Sequence, residues 1–311
     1  MARSDGNNAG GFVAMTANTN KAGRILKYVV LLVVVVNLAI VAVVFLGANS
    51  PQPRPMPNPN GYDDFVKAGQ MVTGKPGDYN TMSKEELVAL VATNQEVLRL
   101  VRIGLGRECR APDYNSAQTL PLLASLKGLA LLISAEGKLA ELGGHSNEAA
   151  KIYIEGIRFG QKSSQGGVLI VRLVGLACEA IPTWRLEPLT NSLDAQTCRE
   201  IAQALEAIDA GEEPAEETIK QEKLWSLKVF GLRAQFMALV QYKSNREYKK
   251  KFIQKVKANT LRRRQLILNF AARAFELEQG KRAQSTADLV PGYLKAIPQD
   301  PTTGTNLVLT P

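Results

Sequence analysis

The stretch Tyr28 to Gly47 reads YVVLLVVVVNLAIVAVVFLG, twenty residues without a charge. At ~1.5 Å per helical residue such a run reaches ~30 Å, the thickness of a bilayer's hydrocarbon. In that medium only a helix satisfies every backbone N–H and C=O, so the many valines do not argue against helix. A cleaved signal peptide is the competing reading. The polar leader before the run is 27 residues long, however, and the run exceeds the about 7–15 apolar residues of a signal core. An uncleaved signal anchor is therefore expected. Arg3, Lys21, Arg24 and Lys27 precede the run, whereas the near flank beyond it carries Arg54 and only later Lys67, opposed by Asp63 and Asp64. The positive-inside rule places the N-terminus in the cytoplasm and exports the rest. Asn37 is the strongly polar residue inside the run, with two roles open to it: a local hydrogen bond, or an interhelical one that dimerises the span.

These features divide the chain into a basic tail (1–27), a transmembrane helix (28–47), a Pro/Asn-rich linker with a short helix (48–82) and an exported helical domain (83–311) whose tail is 281–311. The fold class expected is mainly α: one N-terminal transmembrane helix plus an exported helical bundle or short solenoid-like domain with an extended Pro-rich C-terminal tail. Aromatics are 6% of the chain, and β-branched runs are scarce outside the apolar segment, which favours helix over sheet.

Hydrophobic spacing and end signals predict the helices. Asp63 or Asp64 caps a short one through Gln70, and a spacer follows to Thr81. Ser83 and Glu86 form a capping box that opens a helix running to about Leu105. Further helices are expected over about Ser116–Leu142, stopped by Gly143-Gly144, and over about Asn147–Gln161. Val168–Ala180 is apolar almost all round, implying burial, with Pro182 disturbing its continuation and Trp184 and Leu186 packing at its exit. Ser192 or Asp194 caps the next helix, which ends near Gly211. In GEEPAEETIK, Pro214 suits a first turn, and Glu212, Glu213, Glu216 and Glu217 complement the helix dipole. The following apolar stripe, Trp225, Val229, Leu232, Phe236 and Val240, is expected to break near Ser244-Asn245. The last helix ends at Gly280. Leu289, Val290, Tyr293, Leu294 and Ile297 then anchor a tail in which Pro291, Pro298 and Pro301 forbid a long helix. Gly137, Gly144, Ala149, Tyr153 and Gly156 fall at the spacing of a tetratricopeptide hairpin, but the pattern does not recur 34 residues away, so an ordinary helical hairpin explains it equally well.

Candidate chemistry is sparse. Cys109, Cys178 and Cys198 lack any CxxC spacing, Cys178 reads as a buried small hydrophobe, and pairing among the three stays open. His145 is the only histidine and sits in a polar loop, which argues against histidine-rich metal centres. No catalytic residue, metal ligand or cofactor is implied. The distinctive surface is basic: residues 220–264 hold 14 cations against Glu222 and Glu247, a local +12 in a chain of net +9, so the remainder is −3. Within it Lys249, Lys250, Lys251, Lys255, Lys257, Arg262, Arg263 and Arg264 are candidates for binding an anionic surface, either lipid headgroups or an envelope polymer. A solvated cationic face is the alternative. Nucleic acid fits the charge but not the compartment, and there is no stacking motif.

Two segments, NPNGYDDF (Asn58 to Phe65) and the closing LVPxYLxxIPxDPxTG pattern (Leu289 to Gly304), resemble those of uncharacterised single-span membrane-anchored helical proteins of planctomycete-type bacteria. Ala283 stands where such tails generally carry Pro. The resemblance implies attachment to the bacterial inner membrane and a periplasmic or otherwise exported helical domain, with no activity to carry over. The closing pattern is also similar to the end of type II secretion pseudopilins, which implies a secretion or pilus-system accessory as an alternative. The function expected is a scaffolding or binding protein whose partner is another envelope protein or an anionic lipid or polymer. A carboxylate-dependent envelope hydrolase is the enzymatic alternative.

Overall fold

The computed structural model describes residues 24–40, 55–113, 116–231 and 242–309. The chain is mainly helical, with no strand among the described residues and one isolated antiparallel bridge between Gln299 and Asn306. It divides into two units, Met1–Arg54 and Pro55–Pro311.

In the first unit, residues 24–40 form helix α1, every residue of it exposed. Asn37 donates to the Val33 carbonyl at 2.7 Å, one turn back, which satisfies its amide locally. Among the described residues no helix is long and apolar enough to cross a membrane. Positions 41–47 of the apolar run lie outside them.

The second unit begins earlier than a linker reaching residue 82 allows. Helix α2 (Gly61–Met71) buries Tyr62, Phe65 and Ala68 completely. Its cap is Asn60, not Asp63 or Asp64: the Asn60 side chain accepts from the Tyr62 N–H, accepts from the Arg110 N–H at 2.9 Å and donates to the Arg110 carbonyl at 2.9 Å. One residue thus starts the helix and ties it to the loop that carries Arg110. The expected spacer is also packed, since Tyr79 is buried and its carbonyl accepts from Lys138 Nζ at 3.0 Å.

The Ser83–Glu86 capping box opens α3 (Lys84–Thr93), as expected. The helix does not continue to Leu105, because Asn94 separates α3 from α4 (Gln95–Leu105). The buried Asn94 amide accepts from the Thr73 N–H at 2.9 Å and donates to the Thr73 and Leu90 carbonyls. Its side chain therefore serves the neighbouring loop and the end of the preceding helix, and its backbone leaves the helical conformation at φ −106° and ψ 18°.

Helices α5 (Ser116–Leu142) and α6 (Ser146–Lys162) form an antiparallel hairpin closed by Gly144 at φ +81°. Small residues set the spacing within it. A Cβ at Gly137 would lie 2.4 Å from the Tyr153 ring, and one at Gly156 would lie 3.0 Å from Pro182. Helix α7 (Leu169–Leu186) runs through Pro182 rather than stopping there. Gly160 and Gly175 bring α6 and α7 together closely enough that a Cβ on Gly160 would lie 2.5 Å from the Glu179 backbone nitrogen.

Asp194 caps α8 (Ala195–Ala210) by accepting from the Thr197 N–H at 2.7 Å. Helix α9 (Ala215–Phe230) follows Pro214, and Gly231 beyond it has φ +57°. Helix α10 (Tyr242–Gln279) holds Ser244 and Asn245 in its first turn; Leu232, Phe236 and Val240, and with them any junction before Tyr242, lie outside the described residues.

Two cores result. One joins α2, α3, α4 and α5 with Ile152 and Phe159 of α6. The other joins α8 and α10 with Tyr153, Ile154 and Ile157 of α6 and with Leu289, Tyr293 and Leu294 of the tail. Helix α6 therefore feeds opposite faces into both. A smaller cluster, Leu169, Leu176, Ala215, Phe252 and Val256, seats the first half of α10 against α7 and α9.

Candidate cationic face on the last helix

Helix α10 carries all eight candidate cations, and its packing divides them. Phe252, Val256, Leu266, Ile267, Phe270 and Ala274 form its buried stripe. In the half that lies along α8, the arginines meet acids from neighbouring elements. Arg262 pairs with Glu187 at 2.6 Å and lays its guanidinium 3.6 Å over the Trp184 ring. Even with this contact the indole remains 63% exposed, so at the exit of α7 it is Leu186 that packs into the interior and Trp184 that stays at the surface under Arg262. Arg264 pairs with Asp209 at 2.8 Å and donates to the Gln299 carbonyl at 2.6 Å, pinning the tail.

Arg263 is 4% exposed and pairs with Glu179, Asp209 and Glu212. It is a core residue and not part of an anion-binding surface. A guanidinium offers five donors, and the buried Glu179 of α7 with the partly buried Asp209 at the end of α8 and Glu212 in the loop after it supply the acceptors.

The same network corrects the reading of α7 as apolar all round. Arg172 and Glu179, seven residues apart on its inner face, are each 1% exposed. Arg172 donates to Glu179 at 3.2 Å, to Ser164 Oγ at 2.8 Å and to Glu212. Glu179 also accepts from Asn259 at 2.7 Å. Arg172, Arg263 and Arg264 face Glu179, Asp209 and Glu212, so the charge balances and the cluster needs no ligand. Glu212 and Glu213 therefore do more than complement a helix dipole; Glu213 accepts from the Gly166 N–H at 2.9 Å, fixing the turn before α7. The available sequence signal was the pair of charges at i and i+7 within an otherwise apolar helix.

The first half of α10 is different. Arg246, Lys249, Lys250, Lys251 and Lys255 are exposed and Lys257 is half-buried. None of the six joins an ion pair among the described residues. Lys249 lies within electrostatic range of Glu222, whose carboxyl is pushed up by burial and held partly in check by the Leu169 N–H and by Lys249. A cleft of about 980 Å³ runs along this half. Its described lining includes Arg246, Lys249, Lys250 and Lys257 with Ile253 and Leu261, and Thr302 of the tail closes one edge. Lys251 and Lys255 are not in that lining, because helical geometry turns them away.

Other candidate chemistry does not converge. The cleft's described lining contains neither carboxylate nor histidine. Among the described residues no group of His, Cys, Asp and Glu has the arrangement of a metal site. His145 is exposed at the start of α6. Cys109, Cys178 and Cys198 are buried free thiols, all pushed up by desolvation, Cys178 to about 12. No known protein family, curated protein or solved structure matches the chain.

Proposed function

We propose that this protein is a single-span envelope protein whose helical body binds an anionic partner through the first half of α10 and carries out no chemistry of its own. The observation that carries the reading is the contrast within one helix. Arg262, Arg263 and Arg264 are satisfied by acids of the fold, whereas Arg246, Lys249, Lys250, Lys251, Lys255 and Lys257 are not paired among the described residues. Seven cations against the single Glu247 between Tyr242 and Lys257 create a local positive potential that attracts phosphate or carboxylate groups at low salt. The anchoring part rests on the Tyr28–Gly47 run and its basic leader. The hydrolase alternative finds no support in a cleft whose described lining lacks acids.

The test uses the full chain reconstituted in zwitterionic nanodiscs and mixed with vesicles of zwitterionic lipid alone or doped with anionic lipid. Co-flotation should require the anionic lipid, fall as salt rises and be competed by polyphosphate. Equal recovery with both vesicle types, or no recovery at low salt, would refute the reading.

A further inference from the structure

The cleft along α10 combines two chemistries on one surface. Arg246, Lys250 and Lys257 recur at i, i+4 and i+11, so their charged heads share one side of the helix. Between and beyond them lie Ile253, Ala258 and Leu261, and the aliphatic stems of the lysines add to the apolar area. A site for a polyanion alone needs no hydrocarbon floor. A site for a neutral apolar molecule has no use for cations that no described acid pairs. Both together suit an amphiphile with an anionic head. The volume of about 980 Å³ stands at the upper end of the ~300–1,000 Å³ usual for small-molecule sites, so there is room for a chain as well as a headgroup.

We propose that this cleft holds one anionic phospholipid molecule, its phosphate against Arg246, Lys250 and Lys257 and an acyl chain along Ile253 and Leu261. The inference rests on the anion-binding reading above but is narrower: it requires a lipid withdrawn into a defined cleft, not a cationic helix lying on a charged surface. Lys251 and Lys255 supply the internal control, since they carry the same charge on the same helix and do not line the cleft.

The experiment is native mass spectrometry of the full chain in nonionic detergent after incubation with phosphatidylglycerol, phosphatidylcholine or inorganic phosphate. One phosphatidylglycerol should be retained, phosphatidylcholine about tenfold less, and inorganic phosphate should not displace the lipid. Lys250→Glu and Lys257→Glu should each lower retention about tenfold or more, while Lys251→Glu and Lys255→Glu, which weaken only the general positive field and do not line the cleft, should lower it several-fold less. Ala258→Trp, at an exposed position, should block retention by filling the cleft without disturbing the core. Equal losses in all four lysine variants, retention unchanged by Ala258→Trp, or no retained lipid would each overturn the inference. Vesicle flotation that persists in such a case leaves the broader anion-binding reading standing, whereas loss of flotation removes both.

Discussion

Arg172 and Glu179 sit seven residues apart on one helix and meet at 3.2 Å in the interior of the protein, each side chain closed off from water. Neither charge is tolerable there alone. Arg263 reaches the same carboxylate from α10, so three guanidinium and carboxylate groups from two helices form the seam between them.

Removing one guanidinium leaves the buried Glu179 carboxylate short of a partner and the seam with an uncompensated charge, at a cost of about 3–5 kcal/mol. Arg172→Met and Arg263→Met should therefore lower the melting temperature of the full chain sharply by circular dichroism. Arg99→Ala, which removes an exposed pair with Glu96, should leave it unchanged. Similar melting of all three variants would show that the network contributes little.

Two glycines of α5 should respond oppositely to alanine. At Gly137 the new methyl meets the Tyr153 ring, which is held by a hydrogen bond to Glu141, so overpacking should destabilise by about 1–3 kcal/mol. At Gly128 nothing lies within 4 Å of the position, and alanine should stabilise by about 0.5–1 kcal/mol through helix propensity. Chemical denaturation of the two variants side by side checks the sign of each.

Asn94→Ala strips the Thr73 N–H and the Thr73 and Leu90 carbonyls of a shared partner. A loss of about 1–3 kcal/mol is expected from deleting three hydrogen bonds made by one buried amide, two of them part-buried bonds to Thr73. Hydrogen exchange should rise first around Thr73. Uniform exchange across the domain would contradict a local role.

The three thiols should resist modification. Burial pushes Cys109 and Cys198 up to about 11 and Cys178 to about 12, so thiolate is scarce at pH 8 and reagent access is blocked. A thiol-reactive dye should label the native chain very slowly and all three positions in denaturant. Rapid native labelling would show that one of these sites opens.

Asp194 gives the chain one defined acid dependence. The Thr197 N–H at the start of α8 holds its carboxyl below the ordinary value of about 3.9. A depressed folded value means that its contribution is complete above that ordinary value and fades as pH falls through the lower one. Asp194→Asn keeps a capping oxygen but cannot titrate, so the stability difference between parent and variant should shrink between pH 5 and pH 3. A constant difference would remove the carboxylate's charge as its cause.

Much of the helical order was legible because its signals are local. The Ser83–Glu86 box, the end of α5 at Gly143-Gly144, the Asp194 cap and the stop at Gly280 each depend on residues a few positions apart. The tail anchors Leu289, Tyr293 and Leu294 were legible too, as apolar residues between prolines. Asn60 and Asn94 escaped notice because their partners, Arg110 and Thr73, lie 50 and 21 residues away. Pro182 stays within α7 because tertiary packing against Gly156 outweighs a single lost helical hydrogen bond.

The basic segment shows the division most plainly. Composition alone located the positive charge between residues 220 and 264, and the apolar period made its carrier a helix. Which cations remain available was settled only when α7 and α8 brought Glu179, Glu187, Asp209 and Glu212 against Arg262, Arg263 and Arg264 and no described acid against Lys250 or Lys257. Charge is a property of each residue and is read in one dimension. Its neutralisation depends on distances between segments far apart along the chain, and those exist only once the helices have packed.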